Sequence, residues 1–589
     1  MERLYLLGNH AIANGLYESG VDAVFAYPGT PSSEIVEKLI QLSEKEEFYV
    51  EWSINEKVAY ERAYGVAISG GRSACIMKHV GLNVASDPLI TSAYTGIEGG
   101  MSVVVADDPF AHSSQNEQDT RRYSIFGKIP CFEPSSPQEA KDMVVYVMAF
   151  SEKFKLPVIL RSVTRISHAK SDVIVGRRKK EKRDKKFIKN PSKYVMVPAN
   201  ARKRLEVLLE KYKEIKKEVE KVPYNILERK SKKIGIIASG VSYLYVKELI
   251  EEGKKDYSLV KVSTYPIPEK KIGRLLKDCQ KVFIFEEGDP VIEEITYKIA
   301  KSINPDCKIY GKLNGVVPAC GELSVEKVEE SLSRVEGRKK RIYSIPSLPP
   351  RAPVLCPGCP HLGTFYILKK TFGKSAIYPG DIGCYTLGIQ MGMIDTCLCM
   401  GAGIGVGSGI SIFEKEKVVS IIGDSTFFHA GIPPLINASY NPSNLVIAIL
   451  DNRTTAMTGH QPHPGTGITA KGKKTLNIDM EKFVKSCGID DVITVDPYKI
   501  KASLSKIKKI KDKKGVRVII FRRACVLLEK KGKRYTIDSS KCKGCRLCLE
   551  LGCYAIEFKE GKANINVYCN GCGMCAEICP FGAINEKKV

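Results

Sequence analysis

Eight of the twenty cysteines lie in the last fifty residues, in two runs whose spacing is suited to iron-sulfur clusters. The runs are Cys542-x2-Cys545-x2-Cys548-x4-Cys553 and Cys569-x2-Cys572-x2-Cys575-x3-Cys579, the last followed by Pro580. Three closely spaced thiolates and a fourth before proline are typical ligands of [4Fe-4S] cubes. A zinc site needs only four ligands, usually in two separated pairs, so the repeated run favours two clusters over zinc or disulfides.

The second run has the spacing of bacterial two-cluster ferredoxins, in which the fourth cysteine binds the other cluster. The first run departs from that spacing by one extra residue before Cys553 and by Tyr554 in place of proline. The swapped assignment predicts two ligand sets, which are Cys542, Cys545, Cys548 and Cys579 for one cluster and Cys569, Cys572, Cys575 and Cys553 for the other.

A second candidate site is the segment Gly423-Asp424-Ser425, which follows the apolar run 418–422. Asn452 comes 28 residues after Asp424, at the end of the next apolar run. Two such runs in a parallel sheet would place these oxygens at adjacent strand ends, where ligands of open sheets collect. Mg2+ prefers oxygen ligands and commonly shares diphosphate oxygens. A simple strand-to-loop turn is the alternative, but the spacing favours a site for Mg2+ and a diphosphate.

The glycine-rich run 401–409 (GAGIGVGSG) resembles a phosphate-binding loop at first sight. Its glycines recur at every second residue and lack the G-x-G-x-x-G register of a dinucleotide-binding motif. We therefore predict a helix or turn of small residues packed under the diphosphate.

The elements that position these residues follow from the apolar pattern, which predicts a multi-domain α/β protein with parallel sheets and a C-terminal ferredoxin-like α+β domain. Four apolar runs predict strands in the first domain, at 23–26, 74–77, 102–105 and 158–160. KIGIIASG and VFIFEEGD predict strands of a second, smaller α/β unit, and VVSIIGDS and LVIAILDN predict two strands of a third.

The predicted boundaries divide the 589 residues into five segments. These are an α/β domain at 1–185, a basic helical linker at 186–230, a smaller α/β domain at 231–340, a third α/β domain at 350–530 and a ferredoxin-like domain at 535–589. A proline-rich joint at 345–353 is expected before the fourth segment.

Composition bears on location and partners. The start has no secretory pattern and no stretch of 18 uninterrupted apolar residues occurs, which predicts a cytoplasmic protein without membrane spans. The net charge is +25, concentrated at 177–189 and 211–233. Because no nucleic-acid recognition motif accompanies these charges, we interpret them as solvated surface or as steering for an acidic redox partner.

Several motifs together resemble the thiamine diphosphate-dependent 2-oxoacid:ferredoxin oxidoreductases, in particular the alpha subunits of indolepyruvate ferredoxin oxidoreductases. Besides the cysteine tail, they are YPGTPSSEI at 27–35, KHVGLNVASDP at 78–88, CPGCPH at 356–361, GDIGCYTLG at 380–388, GDSTFFHAG at 423–431 and DNRTTAMTGHQPHPG at 451–465. The resemblance spans essentially the whole chain. It implies a pyrimidine-binding type thiamine diphosphate domain at 1–185, a transketolase C-terminal-like domain at 231–340 and a diphosphate-binding type thiamine diphosphate domain at 350–530. It implies oxidative decarboxylation of an aryl 2-oxoacid with coenzyme A, with two electrons passed singly to ferredoxin.

The resemblance also implies roles for individual residues. Asp424 and Asn452 would hold Mg2+ with side-chain oxygens and Thr454 with its backbone carbonyl, beside Gly423 and Ser425. Asp451 replaces the first asparagine of the family's usual pair.

In the first domain, Glu56 in the segment WSINEKVA would be the carboxylate that activates the thiamine aminopyrimidine. Glu61 is the second choice, and an exposed glutamate in the first turn of a helix is the alternative. Thr30 and His79 would face the substrate carboxylate. His429, His460 and His463 fall in segments expected near the cofactor, and a polar or core role is the alternative for each of them.

Four more cysteines resemble the proximal cluster ligands of the pyruvate and 2-oxoglutarate enzymes. They are Cys356, Cys359, Cys384 and Cys525. A third [4Fe-4S] cluster, a zinc site and an empty turn are all compatible with their spacing.

The family pairs this kind of chain with a smaller beta subunit, so a hetero-oligomer is expected. The alternatives to an aryl-specific enzyme are an oxidoreductase for pyruvate-like or branched-chain 2-oxoacids, and a non-catalytic electron-transfer or scaffold subunit. The substitution at Asp451 favours the scaffold, whereas intact Asp424, Asn452 and Glu56 oppose it.

Overall fold

The computed structural model describes residues 2–46, 48–179, 181, 183, 185–253, 255–337, 348–349, 351–441 and 443–587. Residues 345–347 and 350 of the predicted proline-rich joint lie outside these ranges. The chain divides into two compact units, Met1–Ser347 and Leu348–Val589.

Unit 1 alternates strands and helices. Its strands are β1 (Glu2–Leu7), β2 (Ala23–Ala26), β3 (Tyr49–Trp52), β4 (Ser73–Lys78), β5 (Met101–Asp107), β6 (Cys131–Phe132), β7 (Val158–Val163), β8 (Lys170–Val175), β9 (Ile226–Glu228), β10 (Ile234–Ser239), β11 (Ser258–Val262), β12 (Thr264–Tyr265), β13 (Lys281–Phe285) and β14 (Lys308–Tyr310). Its helices are α1 (Gly8–Glu18), α2 (Ser33–Lys45), α3 (Glu56–Ile68), α4 (His79–Val84), α5 (Ser86–Thr95), α6 (Thr120–Gly127), α7 (Pro137–Phe154), α8 (Thr164–Ser167), α9 (Pro191–Tyr194), α10 (Pro198–Glu218), α11 (Gly240–Glu252), α12 (Glu269–Asp278), α13 (Val291–Ile303) and α14 (Val325–Glu336).

A seven-stranded sheet organises the first part of unit 1, in the order β12-β6-β7-β5-β4-β2-β3. All neighbours are parallel except β12 and β6. Every residue of β5 (MSVVVAD) is buried, as expected for a central parallel strand covered by helices on both faces. The four strands predicted in this domain are confirmed.

A five-stranded sheet follows, in the order β14-β13-β10-β11-β9, parallel except for β9. The strands predicted from KIGIIASG and VFIFEEGD are confirmed as β10 and β13. Within the basic segment, α10 packs through Leu208 and Ile215, which lie in the same hydrophobic core as the first sheet. The charged face of this helix is solvated while its apolar face is buried.

Unit 2 contains the second group of candidate residues. Its strands are β15 (Pro379–Gly380), β16 (Thr396–Cys397), β17 (Val419–Gly423), β18 (Val446–Asp451), β19 (Val492–Val495), β20 (Arg517–Arg522), β21 (Tyr535–Ile537), β22 (Ile556–Lys559), β23 (Lys562–Ile565) and β24 (Ile584–Glu586). Its helices are α15 (Pro360–Phe372), α16 (Ala402–Ile410), α17 (Asp424–Thr426), α18 (Ile432–Tyr440), α19 (Met480–Ser486), α20 (Ile500–Ile507) and α21 (Met574–Ile578).

The central sheet of unit 2 is parallel, in the order β17-β18-β20-β19. The strands predicted from VVSIIGDS and LVIAILDN are confirmed as β17 and β18, and the glycine-rich run is confirmed as a helix, α16. A Cβ atom on Gly407 would come 2.0 Å from Ser420 Oγ on β17, so the glycine allows the helix to lie close against the sheet. The cysteine tail folds around two antiparallel pairs, β21 with β24 and β22 with β23.

Candidate functional site

Asp424 and Asn452 lie at the carboxyl ends of neighbouring strands, as their spacing predicted. Gly423 of β17 pairs with Leu450 of β18, so the residues that follow each strand leave the sheet at the same edge. Asp424 is 2% exposed and Asn452 is 8% exposed. A Cβ on Gly423 would lie 2.6 Å from the Tyr385 ring, so only glycine fits before the aspartate.

The Asp424 carboxylate is held by three hydrogen bonds. Oδ1 accepts from the Ser425 backbone N–H at 2.9 Å, and Oδ2 accepts from the Arg453 backbone N–H at 2.7 Å. Nε2 of His463 lies 3.0 Å from the same Oδ2. Burial opposes ionisation, but the electrostatic attraction of His463 and these hydrogen bonds keep the Asp424 pKa below its usual range. The group is therefore a buried, ionised carboxylate.

Asp451, which replaces the usual asparagine, is buried close to Asp424. Burial and then the Asp424 charge raise its pKa, and Arg522 Nε donates to its Oδ2 at 2.7 Å. At the position of the usual asparagine, this chain therefore carries a buried carboxyl group that accepts a hydrogen bond from Arg522.

The remaining predicted ligands complete the same strand edge. Asn452 Oδ1 accepts from the Thr454 backbone N–H at 3.2 Å, and Thr455 Oγ1 donates to Ser425 Oγ at 2.8 Å. Thr454 is 4% exposed. This buried set of hard oxygens fits Mg2+ and a diphosphate, which are bound by such groups.

Four cysteines lie together beside Asp424, although they come from distant parts of the chain. Burial raises the pKa of the Cys359 thiol, and neighbouring Cys384, Cys356 and Cys525 raise it further. Burial raises the Cys384 pKa to about 11, with added contributions from Cys525, Cys356 and Asp424. These mutual electrostatic effects show that the four cysteines are neighbours in the folded unit, near Asp424 of the predicted diphosphate site.

The tail cysteines also separate into the two predicted sets. Burial raises the Cys548 pKa, and the neighbours that raise it further are Cys545, Cys542 and Cys579. Those four cysteines line one cavity. For Cys575 the raising neighbours are Cys572, Cys553 and Cys569. Four converging thiols fit a [4Fe-4S] cube, in which each thiolate binds a different iron atom.

Within the described ranges, no group of three or more histidine, cysteine or acidic side chains is arranged around a single metal ion.

The tail lies directly against the loop that carries Cys356 and Cys359. The Gly358 backbone N–H donates to the Cys553 sulfur and lowers the pKa of that thiol, against the larger effect of burial. Tyr498 Oη donates to the Gly358 carbonyl at 2.5 Å, and Asn570 Nδ2 donates to the Pro357 carbonyl. The backbone between Cys356 and Cys359 is therefore hydrogen-bonded to Cys553 of the tail.

Unit 1 holds the other predicted residues. Asn55 caps α3 by accepting from the Val58 N–H at 2.9 Å, which places Glu56 in the first turn. Glu56 is 5% exposed, and its carboxylate lies where a side chain on Gly81 would be. Glu61, the second choice, is exposed and paired with Lys57.

His79 begins α4 directly after β4 and is 1% exposed, with Nε2 3.3 Å from the Asn116 carbonyl. Burial lowers its pKa. Thr30 follows β2, the strand next to β4, and its carbonyl accepts from Ser113 Oγ at 3.4 Å. Thr30 and His79 are therefore brought to the same edge of the sheet.

The remaining histidines have different positions. His460 Nε2 lies 3.6 Å from Cys525 Sγ, and His429 is buried in the turn after Asp424. His361, whose function the sequence did not suggest, is fully buried next to Asp424, and burial lowers its pKa to about 4.

Asp381 is another buried group that the sequence reading missed. Its Oδ2 accepts from the Gly401 N–H at 3.0 Å, in front of α16, and burial raises its pKa to about 7. The signal that could have found it is the Gly380-Asp381 pair, which repeats the Gly423-Asp424 pattern after a strand.

None of the helices in the described part of the chain combines the length and apolar character needed to span a membrane.

Comparison with protein-family models finds three matches. Residues 14–228 match the thiamine diphosphate-binding domain of pyruvate flavodoxin/ferredoxin oxidoreductases. Residues 381–521 match the C-terminal TPP-binding domain of thiamine pyrophosphate enzymes, and residues 567–585 match a 4Fe-4S binding domain. The predicted fold class is confirmed, with thiamine diphosphate-binding α/β domains and a C-terminal iron-sulfur domain.

Full-length relatives agree with these models. The chain is 43% identical to indolepyruvate oxidoreductase subunit IorA of Thermococcus kodakarensis, over all of this chain and 97% of the relative. It is 42% identical to the IorA subunits of Archaeoglobus fulgidus and Methanothermobacter marburgensis, in each case over all of this chain and 98% of the relative.

Proposed function

Because the chain belongs to the family of indolepyruvate oxidoreductase subunits IorA, we propose that it oxidatively decarboxylates aryl 2-oxoacids such as indolepyruvate. Coenzyme A accepts the acyl group, and the products are an aryl-acetyl-CoA, CO2 and two reduced ferredoxins. The coarser assignment, a thiamine diphosphate-dependent 2-oxoacid oxidoreductase with an iron-sulfur domain, follows from the family. The observation that supports single-electron transfer is the group of four cysteines near Asp424, whereas the aryl substrate is proposed from the names of the relatives.

The proposed cofactor residues lie on one strand edge of unit 2. Asp424 and Asn452 would bind Mg2+ with side-chain oxygens and Thr454 with its carbonyl, while Gly423 and Ser425 leave room for the diphosphate. Bound thiamine diphosphate supplies a carbanion nucleophile and an electron sink, which protein side chains lack. The buried ionised carboxylate of Asp424 supports this role because Mg2+ prefers such ligands.

In unit 1, we assign activation of the aminopyrimidine to the Glu56 carboxylate, and substrate binding to Thr30 and His79. Burial of Glu56 supports its role, because water then competes less for the hydrogen bond that a carboxylate makes to a cofactor nitrogen. The lowered pKa of His79 favours a neutral imidazole that can donate a hydrogen bond to a substrate oxygen.

Three [4Fe-4S] clusters are proposed. The two in the tail are held by Cys542, Cys545, Cys548 and Cys579 and by Cys553, Cys569, Cys572 and Cys575. The third is held by Cys356, Cys359, Cys384 and Cys525. The Gly358 N–H, between Cys356 and Cys359, donates to the Cys553 sulfur, so the third group adjoins the Cys553 group; clusters bound there would supply carriers for single electrons.

Two partners complete the proposed reaction. A smaller beta subunit would form a hetero-oligomer with this chain, and ferredoxin would take the electrons.

The test is an anaerobic assay of the complex of both subunits with indolepyruvate, phenylpyruvate and pyruvate, each with coenzyme A and ferredoxin. We expect the highest kcat/KM for the aryl acids. Preference for pyruvate would replace the aryl assignment, and ferredoxin reduction by none of the acids would favour a non-catalytic subunit.

A further inference from the structure

Lys78 ends strand β4 and is almost completely buried, with 8% of the residue exposed. Its Nζ donates to the Ser113 carbonyl at 2.7 Å. An ammonium has three N–H donors, and among the described residues this carbonyl is its one hydrogen-bond acceptor. Two N–H donors of this buried ammonium therefore have no acceptor among the described residues.

No carboxylate pairs with Lys78 in the described part of the chain. The charged and titratable groups that face it are Asp108, from the loop after β5, and His79, which follows it. Asp108 is occupied by neutral donors, since its carboxylate accepts from the Ser113 N–H at 2.8 Å, from Ser114 Oγ at 2.6 Å and from Thr164 Oγ1 at 2.7 Å. Burial lowers the Lys78 pKa to about 8, and the attraction of Asp108 only partly opposes this.

The neighbours of Lys78 place it among the proposed substrate residues. A Cβ on Gly29 would lie 3.0 Å from the Lys78 Cβ, so the loop that carries Thr30 runs directly beside this side chain. Ser113, which accepts from Lys78, also donates to the Thr30 carbonyl. Helix α4 begins at the next residue and brings Gly81 against Glu56.

A buried cation without a counter-ion is costly, and an anion that enters the site removes that cost. Every 2-oxoacid carries a carboxylate beside its keto group. We propose that the Lys78 ammonium binds the carboxylate of the 2-oxoacid substrate, next to Thr30 and His79. This inference rests on the proposed function, but only on the carboxylate and not on the aryl group. The alternative is a structural role, in which Lys78 only stabilises the loop at Ser113 through its hydrogen bond.

The test uses the complete complex with thiamine diphosphate, Mg2+ and clusters. Its probes are 3-phenylpropionate, which has the carboxylate, and 3-phenylpropionamide, which is neutral and has nearly the same shape. Inhibition constants and titration calorimetry are measured for wild type, Lys78→Met, Lys78→Arg and Lys45→Met. Lys45 is an exposed lysine of the same unit and serves as the matched control.

We expect Lys78→Met to weaken binding of the carboxylate about 10- to 100-fold and to change binding of the amide little, because one charged hydrogen-bonded pair is lost. Lys78→Arg should restore much of the affinity. In wild type, the inhibition constant of the carboxylate should rise about tenfold per pH unit above pH 8 as Lys78 loses its proton, and Lys78→Arg should abolish that rise.

Equal losses for carboxylate and amide would show a structural role and overturn the proposal. If Lys78→Met does not fold, the wild-type pH series decides alone, since flat carboxylate affinity between pH 7 and pH 9.5 excludes Lys78. A complex that oxidises pyruvate but not arylpyruvates would refute the aryl assignment. The Lys78 proposal would then be tested with propionate and propionamide.

Discussion

Nε2 of His463 lies 3.0 Å from Oδ2 of Asp424, although 39 residues separate them in the chain. Residues that hydrogen-bond to a metal ligand and orient it typically contribute 10- to 100-fold to metal affinity. His463 is thereby placed as the residue that orients the proposed Mg2+ ligand.

We expect Asp424→Ala to abolish Mg2+-dependent retention of thiamine diphosphate, whereas His463→Gln should weaken it about 10- to 100-fold. Equilibrium dialysis at graded Mg2+ concentrations measures both. Asp451→Asn is the control variant, because it restores the amide that the family's usual pair carries and should retain the cofactor. Unchanged affinity in His463→Gln would remove the orienting role.

Glu56→Gln should retain the cofactor and lose proton exchange at C2 of bound thiamine diphosphate, because a neutral amide cannot promote the tautomer that takes this proton. Exchange is followed by NMR in deuterated buffer. Glu61→Gln is the matched control, since Glu61 is an exposed residue paired with Lys57. Normal exchange in the Glu56 variant would assign activation to another carboxylate.

Iron content tests the third cluster. Anaerobically purified protein should hold about twelve iron atoms with three cubes loaded, and about eight with the tail alone. Cys359→Ser and Cys384→Ser should each remove about four irons. Cys487→Ser should remove none, because that cysteine lies outside all three groups. Full iron in both test variants would leave the Cys356 group without a cluster.

The salt dependence of electron transfer should locate the ferredoxin surface. Lys541, Lys543 and Arg546 are exposed around the exposed Cys545 of one proposed cluster. By contrast, two basic residues of the 177–189 run are paired with an acid, Arg183 with Asp22 at 3.5 Å and Lys185 with Asp22 at 2.7 Å.

Neutralising Lys543 and Arg546 should therefore lower the second-order rate with ferredoxin and flatten its decline with salt. Neutralising Arg183 and Lys185 is the control and should change the rate less. Reduction of a small neutral dye should be the same in all variants. If the Lys543 and Arg546 variant reduces ferredoxin at the wild-type rate, this surface is not the docking site.

Glu287 predicts a pH effect on the stability of unit 1. It is 2% exposed, and burial raises its pKa from 4.5 to about 6. The folded state therefore holds a proton that the unfolded state releases, so this group's contribution falls as pH rises from 4.5 through 6. The loss amounts to about 2 kcal/mol and is complete above that range.

Glu287→Gln should remove this dependence, because the amide oxygen can still accept from the Leu323 N–H. The difference in Tm between variant and wild type should grow between pH 4.5 and pH 7 and stay level above pH 7. A constant difference across the whole range would contradict the raised pKa.

Local features of this protein follow from the sequence alone. Apolar runs predict β4, β5, β17 and β18 because a parallel strand covered on both faces is apolar over most of its length. The x2 spacing within each tail run brings three thiols together within a single loop, so the sequence alone predicts the cluster motifs. The Gly-Asp-Ser segment is also predicted from the sequence, because Asp424, its proposed Mg2+ ligand, directly follows an apolar run.

Tertiary structure decided every relationship between distant segments. Cys525 lies near Cys356 because the end of β20 and the loop before α15 converge, and the 168 intervening residues carry no pattern that encodes this. His463 reaches Asp424, and Lys78 reaches Ser113 without a counter-ion, only after strands align at one edge of a sheet. Spacing identifies ligands within a loop, whereas the burial and pairing of a charge depend on which neighbours the folded sheet supplies.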